Sequence, residues 1–269
     1  MGTALRVEVR KTLTTRMWWI LLLVMIGYVG LVAAFLAFSF DAAGDAAGGR
    51  AVGAPSLDDP RILLAAYTLG LPIGYVFPVV LGVLAVTSEY RYQTLTPTLL
   101  GEPRRGRVLT AKVVVGFVVG LVFGVFGLAA GLGAAAPVVA LTGHDTNLGD
   151  GDVWRALLQS VLAMGLWAAI GVGLGAVLRN QVAGIVVIIA FSQLVEPLAR
   201  IGLGAWDVTS GVAKYLPGAA ADAMAGASLY DLAGNAEMLG WWQGALVLAG
   251  YAVVFGLIGA ASTARRDVT

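Results

Sequence analysis

The 269-residue sequence predicts an all-α integral membrane protein with six transmembrane helices. Hydrophobic residues make up 59% of the chain and charged residues only 12%, whereas soluble domains carry about 45–50% and about 25%, respectively. Six stretches reach or approach the roughly 20 apolar residues that a helix needs to cross about 30 Å of hydrocarbon. Basic residues are unevenly shared between the connecting segments, as in membrane proteins with a defined orientation. These observations exclude a soluble globule and a disordered chain.

The six predicted spans form one transmembrane domain, residues 17–261. They cover residues 17–40, 62–86, 113–141, 156–178, 182–198 and 239–261. Placing the N-terminus in the cytoplasm puts 12 of the 17 basic residues on the cytoplasmic side and 11 of the 16 acidic residues outside. Because basic residues concentrate in cytoplasmic segments, we expect both termini in the cytoplasm, with residues 262–269 as a cytoplasmic tail.

Residues 1–16 have the pattern of an amphipathic helix. Leu5, Val9 and Leu13 recur at helical spacing among basic residues. This period favours a helix lying along the inner leaflet over a positive flank that serves only to set the orientation.

The segment between the second and third spans, residues 87–112, contains signals for a short helix. Thr96 followed by Pro97 is typical of a helix start, whereas Gly101 and Pro103 stop a helix. We therefore expect a helix of two or three turns within Glu89–Leu100. The basic residues that follow are expected to meet lipid phosphates at the membrane surface. They are Arg104, Arg105, Arg107 and Lys112.

Two further features lie near the outer side. Residues 199–238 are too apolar for a disordered linker, and we expect one or two short helices that rest in or re-enter the outer leaflet. Glu196 is the one ionisable residue placed within a span. It can pair with Arg200 four residues later as a structural ion pair, or it can take part in a substrate pathway.

Composition excludes several kinds of chemistry. The chain has no cysteine and only one histidine, His144, so disulfides and thiolate metal sites are excluded. None of the three lysines follows a glycine, so no P-loop for ATP is present. A net charge of +1 gives no reason to expect a nucleic-acid partner. We expect a protein that is not itself an enzyme and that binds no metal or cofactor.

Three sequence segments resemble permease subunits of ABC exporters of the type-2 class, especially short actinobacterial members. They are Glu8-x-x-Lys11 with Thr14-Thr15-Arg16 and Trp18; Glu89-Tyr-Arg91, Thr94-Leu95, Leu99-Leu100, Pro103-Arg104 and Lys112; and Tyr215-Leu216-Pro217-Gly218-Ala219-Ala220. The family often has glycine before the threonine of the second segment, where this chain has Gln93. With the six-span pattern, the resemblance covers essentially the whole chain.

This resemblance implies a division of labour in a bacterial plasma membrane. Two permease copies, expected as a homodimer, would work with two cytoplasmic ATPase subunits that carry ATP and Mg²⁺. The short helix between spans 2 and 3 would be the coupling helix that contacts the ATPase. The residues assigned to this contact are Glu89, Arg91, Thr94, Leu95, Leu99, Leu100 and Arg104.

The resemblance also implies a substrate pathway along the dimer axis, lined by the second and fifth spans. The residues assigned to it are Tyr67, Tyr75, Phe77, Phe191, Gln193 and Glu196. Such a wall would suit export of a hydrophobic or amphipathic cargo, such as a drug, a peptide or a lipid. Two other functions remain open: a secondary transporter driven by an ion gradient, and a non-transporting membrane protein such as a sensor or an immunity factor.

Overall fold

The computed structural model describes residues 1–46, 57–94, 104–204, 211–228 and 238–264, and all regular structure in these ranges is helical. The helices are α1 (Gly2–Thr14), α2 (Met17–Ala46), α3 (Pro60–Tyr67), α4 (Gly70–Gly74), α5 (Val76–Arg91), α6 (Arg105–Leu141), α7 (Gly151–Leu178), α8 (Gln181–Ala190), a π-helical turn (Phe191–Val195), α9 (Glu196–Gly204), α10 (Pro217–Ala225) and α11 (Trp241–Ala264).

Six helical stretches are long and apolar enough to cross a membrane, as predicted. They are Met17–Ala43, Pro60–Arg91, Gly106–Leu141, Gly151–Leu178, Gln181–Leu203 and Trp241–Ser262. Each contains most or all of one predicted span, and the second and third extend well beyond the predicted bounds. The chain is therefore a multi-pass membrane protein.

Side-chain contacts define the two ends of the bundle. Lys112 near the start of α6 binds both Glu8 of α1 and Glu89 near the end of α5, so these three helix ends lie together. Arg91 also contacts Gln181 at the start of α8. We call this the α1 end. The opposite end carries His144, and we call it the His144 end.

The second and fourth spans form the centre of the bundle. In their most apolar stretches 67% of the residues are buried inside the protein, against 17–28% in the other four spans. Close packing of α5 on α7 depends on glycine, because a Cβ at Gly171 would lie 2.9 Å from the Cα of Val79. Small residues of this kind let helix backbones touch in a membrane. The outer spans expose apolar faces that suit lipid or a second subunit.

Two spans are interrupted toward the His144 end. The second is divided into α3, α4 and α5, with Pro72 inside α4. The fifth changes from α8 into the π-helical turn just before Glu196 and Pro197. Pro197 has no N–H to donate to a carbonyl one turn earlier, so the regular hydrogen-bond pattern cannot continue there. π-Helical turns are frequent at functional sites.

Helix α10 lies in the predicted segment between the last two spans. It begins with Pro217 at its first position and ends at Gly226, whose φ is +68°. Most of its residues are buried, and it packs mainly on α11 and α7. Within the described part of this segment the short helix is thus covered by protein rather than lipid.

Candidate functional site: two buried charge clusters

The first cluster lies at the α1 end and joins three helices. We call it the four-residue cluster; it consists of Glu8 and Lys11 of α1, Glu89 of α5 and Lys112 of α6. Lys112 Nζ lies 2.7 Å from Glu8 Oε2 and 2.8 Å from Glu89 Oε1. Lys11 Nζ lies 3.0 Å from Glu8 Oε1 and 2.6 Å from Glu89 Oε1. Each ammonium group therefore bridges both carboxylates, and the four formal charges cancel.

Three of the four side chains in this cluster are buried. The side chains of Glu8, Glu89 and Lys112 are only 4–6% exposed, whereas that of Lys11 is 37% exposed. Lys112 also donates to the carbonyl of Ala85 at 3.0 Å, so its three N–H groups all have acceptors. Burial alone would lower the pKa of Lys11, but the hydrogen bond and charge of Glu89, with those of Glu8, outweigh it and raise that pKa.

This geometry corrects one expectation. Lys112 was expected to meet lipid phosphates, yet its side chain is buried among protein carboxylates. The physical reason is that a lysine inside the first turns of a long apolar helix needs a partner within reach. Two carboxylates from other helices provide it. Arg104 and Arg107 are exposed, as a contact with the membrane surface requires.

The residues assigned to the coupling contact have different environments. Glu89 is buried in the four-residue cluster, so its carboxylate faces protein. Arg91 is exposed and donates to Gln181 Oε1 at 3.0 Å. The N–H of Thr94 donates to the carbonyl of Glu89 at 3.0 Å. Arg104 precedes α6. Leu95, Leu99 and Leu100 lie outside the described residues, together with most of the predicted short helix.

The turn after α5 has an unusual backbone. Gln93 has a φ of +55°, in the left-handed region that glycine adopts without steric cost.

The second cluster lies toward the His144 end, at the break in the fifth span. We call it the three-residue cluster; it consists of Glu196 and Arg200 of α9 and Asp222 of α10. Arg200 Nη2 lies 3.0 Å from Glu196 Oε1, and Arg200 Nη1 lies 2.7 Å from Asp222 Oδ2. The i to i+4 pair expected from the sequence is thus present. Asp222, which joins it from another helix, was not anticipated.

The two carboxylate oxygens of Glu196 have different hydrogen-bond partners. Its Oε1 accepts from Arg200 and from the N–H of Gly218, whereas its Oε2 is buried with no hydrogen-bond partner among the described residues. Asp222 also accepts from Ser228 Oγ at 2.8 Å. A cavity of about 20 Å³ adjoins the cluster. It is lined by Pro72, Tyr75, Ser192, Glu196, Pro197, Arg200, Gly218, Ala221 and Asp222.

The residues assigned to the substrate pathway do not form one surface in the single chain. Tyr67 is 1% exposed and donates to the carbonyl of Thr146, and Tyr75 stacks on Trp167 with ring centroids 4.1 Å apart. Phe77 is partly buried near Tyr28. Phe191 is partly buried and Gln193 is exposed on the fifth span. Of the six, the structure brings together Tyr75 and Glu196, beside the cavity.

A third charged group at the His144 end is partly exposed. His144 lies 2.8 Å from Asp58 and 3.2 Å from Asp41. The hydrogen bond to Asp58 is the main cause that raises the pKa of His144, and the hydrogen bond to Asp41 adds to it. This group ties the end of α2 to the loop that follows α6.

Sequence patterns held partial signals for both clusters. Glu8 and Lys11 share one face of a predicted helix, and Glu89 is an acid in a mostly basic segment. Each of these two patterns suits an ion pair. Asp222 follows a proline helix start within a run of small residues, which indicates close packing around it. Within the described ranges, no group of three or more His, Asp or Glu side chains is arranged to hold a metal ion.

Comparison with models of known protein families and with curated proteins gives no match for this chain. Its function must therefore be argued from its own residues.

Proposed function

We propose that this protein is the membrane-embedded permease subunit of an ATP-driven ABC exporter. It would move a hydrophobic or amphipathic cargo out of the cytoplasm of a bacterium by alternating access. In this proposal the α1 end faces the cytoplasm, and two copies of the chain work with two ATPase subunits. The chain's own part is mechanical, since it has no P-loop.

The observation that carries the proposal is the position of the four-residue cluster. Glu89 lies at the end of α5 and Lys112 near the start of α6, on either side of the segment expected to contact the ATPase. Lys112 also binds α1 through Glu8, and Glu89 binds α1 through Lys11. A displacement of this segment would therefore act on three helices at once, as a coupling element requires.

The second and fourth spans support the mechanical part of the proposal. They are the most buried spans, and their backbones touch at Gly82 and Gly171. Because the two backbones are in contact, a displacement of α5 would also displace α7. ATP can drive the change only through its different affinity for the two states of the complex.

Co-purification with a candidate ATPase tests the proposal. The partner to use is the product of a neighbouring gene that carries Walker motifs. We expect a stoichiometric complex whose ATPase activity falls when Leu99→Glu places a charge on the coupling segment. Leu141→Glu is the control, because Leu141 is 87% exposed at the opposite end.

Arg91→Ala provides a second arm. Arg91 is exposed at the α1 end, so its loss should weaken the complex and leave membrane insertion intact. Arg155→Ala is the matched control, since Arg155 is exposed at the His144 end. Glu89 is unsuitable here because its substitution would also disturb the four-residue cluster.

Two results would replace the proposal. Solute flux that follows the pH gradient without any ATPase would favour the secondary transporter. Stable folding with bound peptide and no flux would favour the sensor or immunity protein.

A further inference from the structure

The charges of the three-residue cluster do not cancel. Glu196 and Asp222 carry two carboxylates, and Arg200 supplies one guanidinium group. Among the described residues these are the charged groups that act on Glu196. The two flanking stretches 205–210 and 229–237 contain acidic residues, Asp207, Asp231 and Glu237, and no basic ones. With both carboxyl groups ionised, the cluster would carry a net charge of −1.

Such a charge is costly where the cluster lies. Glu196 and Asp222 are 2% and 3% exposed, and an uncompensated ion in a low-dielectric interior loses several kcal/mol of hydration. Hydrogen bonds compensate only part of this loss, because Glu196 Oε1 takes the donors and Oε2 has none among the described residues. One additional positive charge at the Glu196 carboxyl group would therefore lower the energy of the cluster.

The cavity limits what can supply that charge. Its volume of about 20 Å³ suits a species no larger than a water molecule. A guanidinium group of a cargo is too large, and an ammonium group, which is close to water in size, would lie beside the Arg200 guanidinium, which repels it. A metal ion would lie beside the Arg200 guanidinium, which repels it, and would find only two carboxylates. A proton needs one lone pair, and Oε2 has it.

We propose that the three-residue cluster binds one proton per chain, on Glu196 Oε2. The groups that face it are Arg200 on its own helix, Asp222 and the N–H of Gly218 on α10, Tyr75 on the second span, and Tyr251 on α11, whose hydroxyl donates to the Tyr215 carbonyl. Because the two carboxyl groups share one guanidinium, their titration is coupled. The proposal does not depend on a partner ATPase.

The binding site lies where the two interrupted spans meet α10. The broken second span, the π-helical turn and α10 all contribute to its wall. Broken helices are a common way to build ion sites inside membranes. Loss of the proton would leave a net negative charge between α9 and α10 and should loosen the contact between them.

Infrared spectroscopy of the purified full-length protein tests the proposal at neutral pH. We expect a carbonyl-stretch band of a protonated carboxyl group in wild type, at one per chain, in either sodium or N-methylglucamine chloride. The band should move when the protein is made with ¹³C-glutamate and should stay with ¹³C-aspartate. Glu196→Gln should abolish it, and Asp152→Asn, at a well-exposed acid, should retain it.

Several results would overturn the proposal. They are the absence of the band in wild type, its survival in Glu196→Gln, and its shift with ¹³C-aspartate instead. A band seen only without sodium would show that a metal ion balances the charge, which contradicts the proposal as well. The isotope experiments use wild type, so they decide the matter even where the variant does not fold.

Hydrogen exchange gives an independent measurement. As the pH is raised until the band is lost, the protection factors within residues 217–225 should fall in wild type; these factors correct for the base-catalysed rise of the intrinsic exchange rate. In Glu196→Gln, whose side chain at position 196 is neutral at all pH values, this fall should be absent. Unchanged protection factors in wild type across the same pH range would mean that no proton holds α10 in place.

Discussion

The two buried charge clusters each contain two carboxylates and differ in the number of cations that balance them. The four-residue cluster pairs two carboxylates with two ammonium groups, and each cation contacts both anions. The three-residue cluster pairs two carboxylates with one guanidinium group. A balanced cluster needs no further charge, although Glu89 Oε2, like Glu196 Oε2, has no hydrogen-bond partner among the described residues. It serves to hold helices together. An unbalanced one is completed only by a further positive charge.

The partners also come from different distances along the chain. Glu8 and Lys112 are 104 residues apart, so the four-residue cluster joins the N-terminal helix to the third span. Glu196, Arg200 and Asp222 lie within 27 residues of one another and join neighbouring elements. The first cluster is therefore suited to carry motion between distant parts, and the second to respond locally.

The largest effect is expected from removing the buried cation of the balanced cluster. Lys112→Met leaves two carboxylates with Lys11 alone and should lower the free energy of unfolding by about 3–5 kcal/mol. Lys11→Met is the control, since its partly exposed site gives water access, and its effect should be less than half as large. Denaturation in mixed micelles measures both. Equal losses would contradict the central position of Lys112.

A steric change should break the unbalanced cluster. A Cβ at Gly218 would lie 2.8 Å from Glu196 Cδ, so Gly218→Ala should displace the carboxylate and lower the free energy of unfolding by about 1–3 kcal/mol. Gly202→Ala in α9 is the matched control, because no atom of another described helix lies within 4 Å of its added Cβ. If both variants were equally stable, the contact of α10 with Glu196 would be unimportant.

The same carboxyl-to-amide change should act differently in the two clusters. Glu89→Gln gives the four-residue cluster a net positive charge and weakens its bonds to two lysines. It should lower the free energy of unfolding by about 1.5–3 kcal/mol. Asp222→Asn leaves one carboxylate, that of Glu196, to pair with the Arg200 guanidinium, so the charges cancel. This balance should offset most of the free energy lost when the bond from residue 222 to Arg200 is weakened. Thermal unfolding of the two variants side by side measures the difference. A larger loss for Asp222→Asn would show that charge balance does not distinguish the clusters.

The smallest effect is expected at His144, where water is close. Its pKa is raised above the usual value of about 6.5 by Asp58 and Asp41. The histidine therefore stabilises the folded protein fully below about pH 6.5, and this contribution is lost as the pH rises through the raised pKa. The Tm of wild type should fall over this range relative to that of His144→Asn. Parallel Tm profiles would exclude a contribution from these ion pairs.

Much of the fold follows from local sequence. The six spans are predicted because each is a long apolar run, and a helix is the structure that satisfies its own backbone in lipid. The Glu196–Arg200 pair is predicted because residues four apart on a helix are neighbours. Helix α10 begins with Pro217 at its first position, a place that proline favours in helices, although the burial of α10 does not follow from the residues themselves.

The clusters depend on contacts that local patterns do not contain. From local sequence, Lys112 is predicted to bind lipid headgroups. In the folded protein, α1 and α5 place Glu8 and Glu89 beside it. Tyr67 and Tyr75 are assigned to the pathway through the resemblance, and no local pattern predicts that Tyr67 donates to the Thr146 carbonyl or that Tyr75 stacks on Trp167. Each of these side chains has its partner more than 20 residues away in the chain.

The sequence by itself determined that this chain has six segments long and apolar enough to span a membrane and that it contains no P-loop motif, since apolar length and motif spacing are local properties. The tertiary structure alone decided which charges are buried together and whether they cancel. The physical reason is that the energy of a buried charge depends on its neighbours in space, and those neighbours are set by how the helices pack.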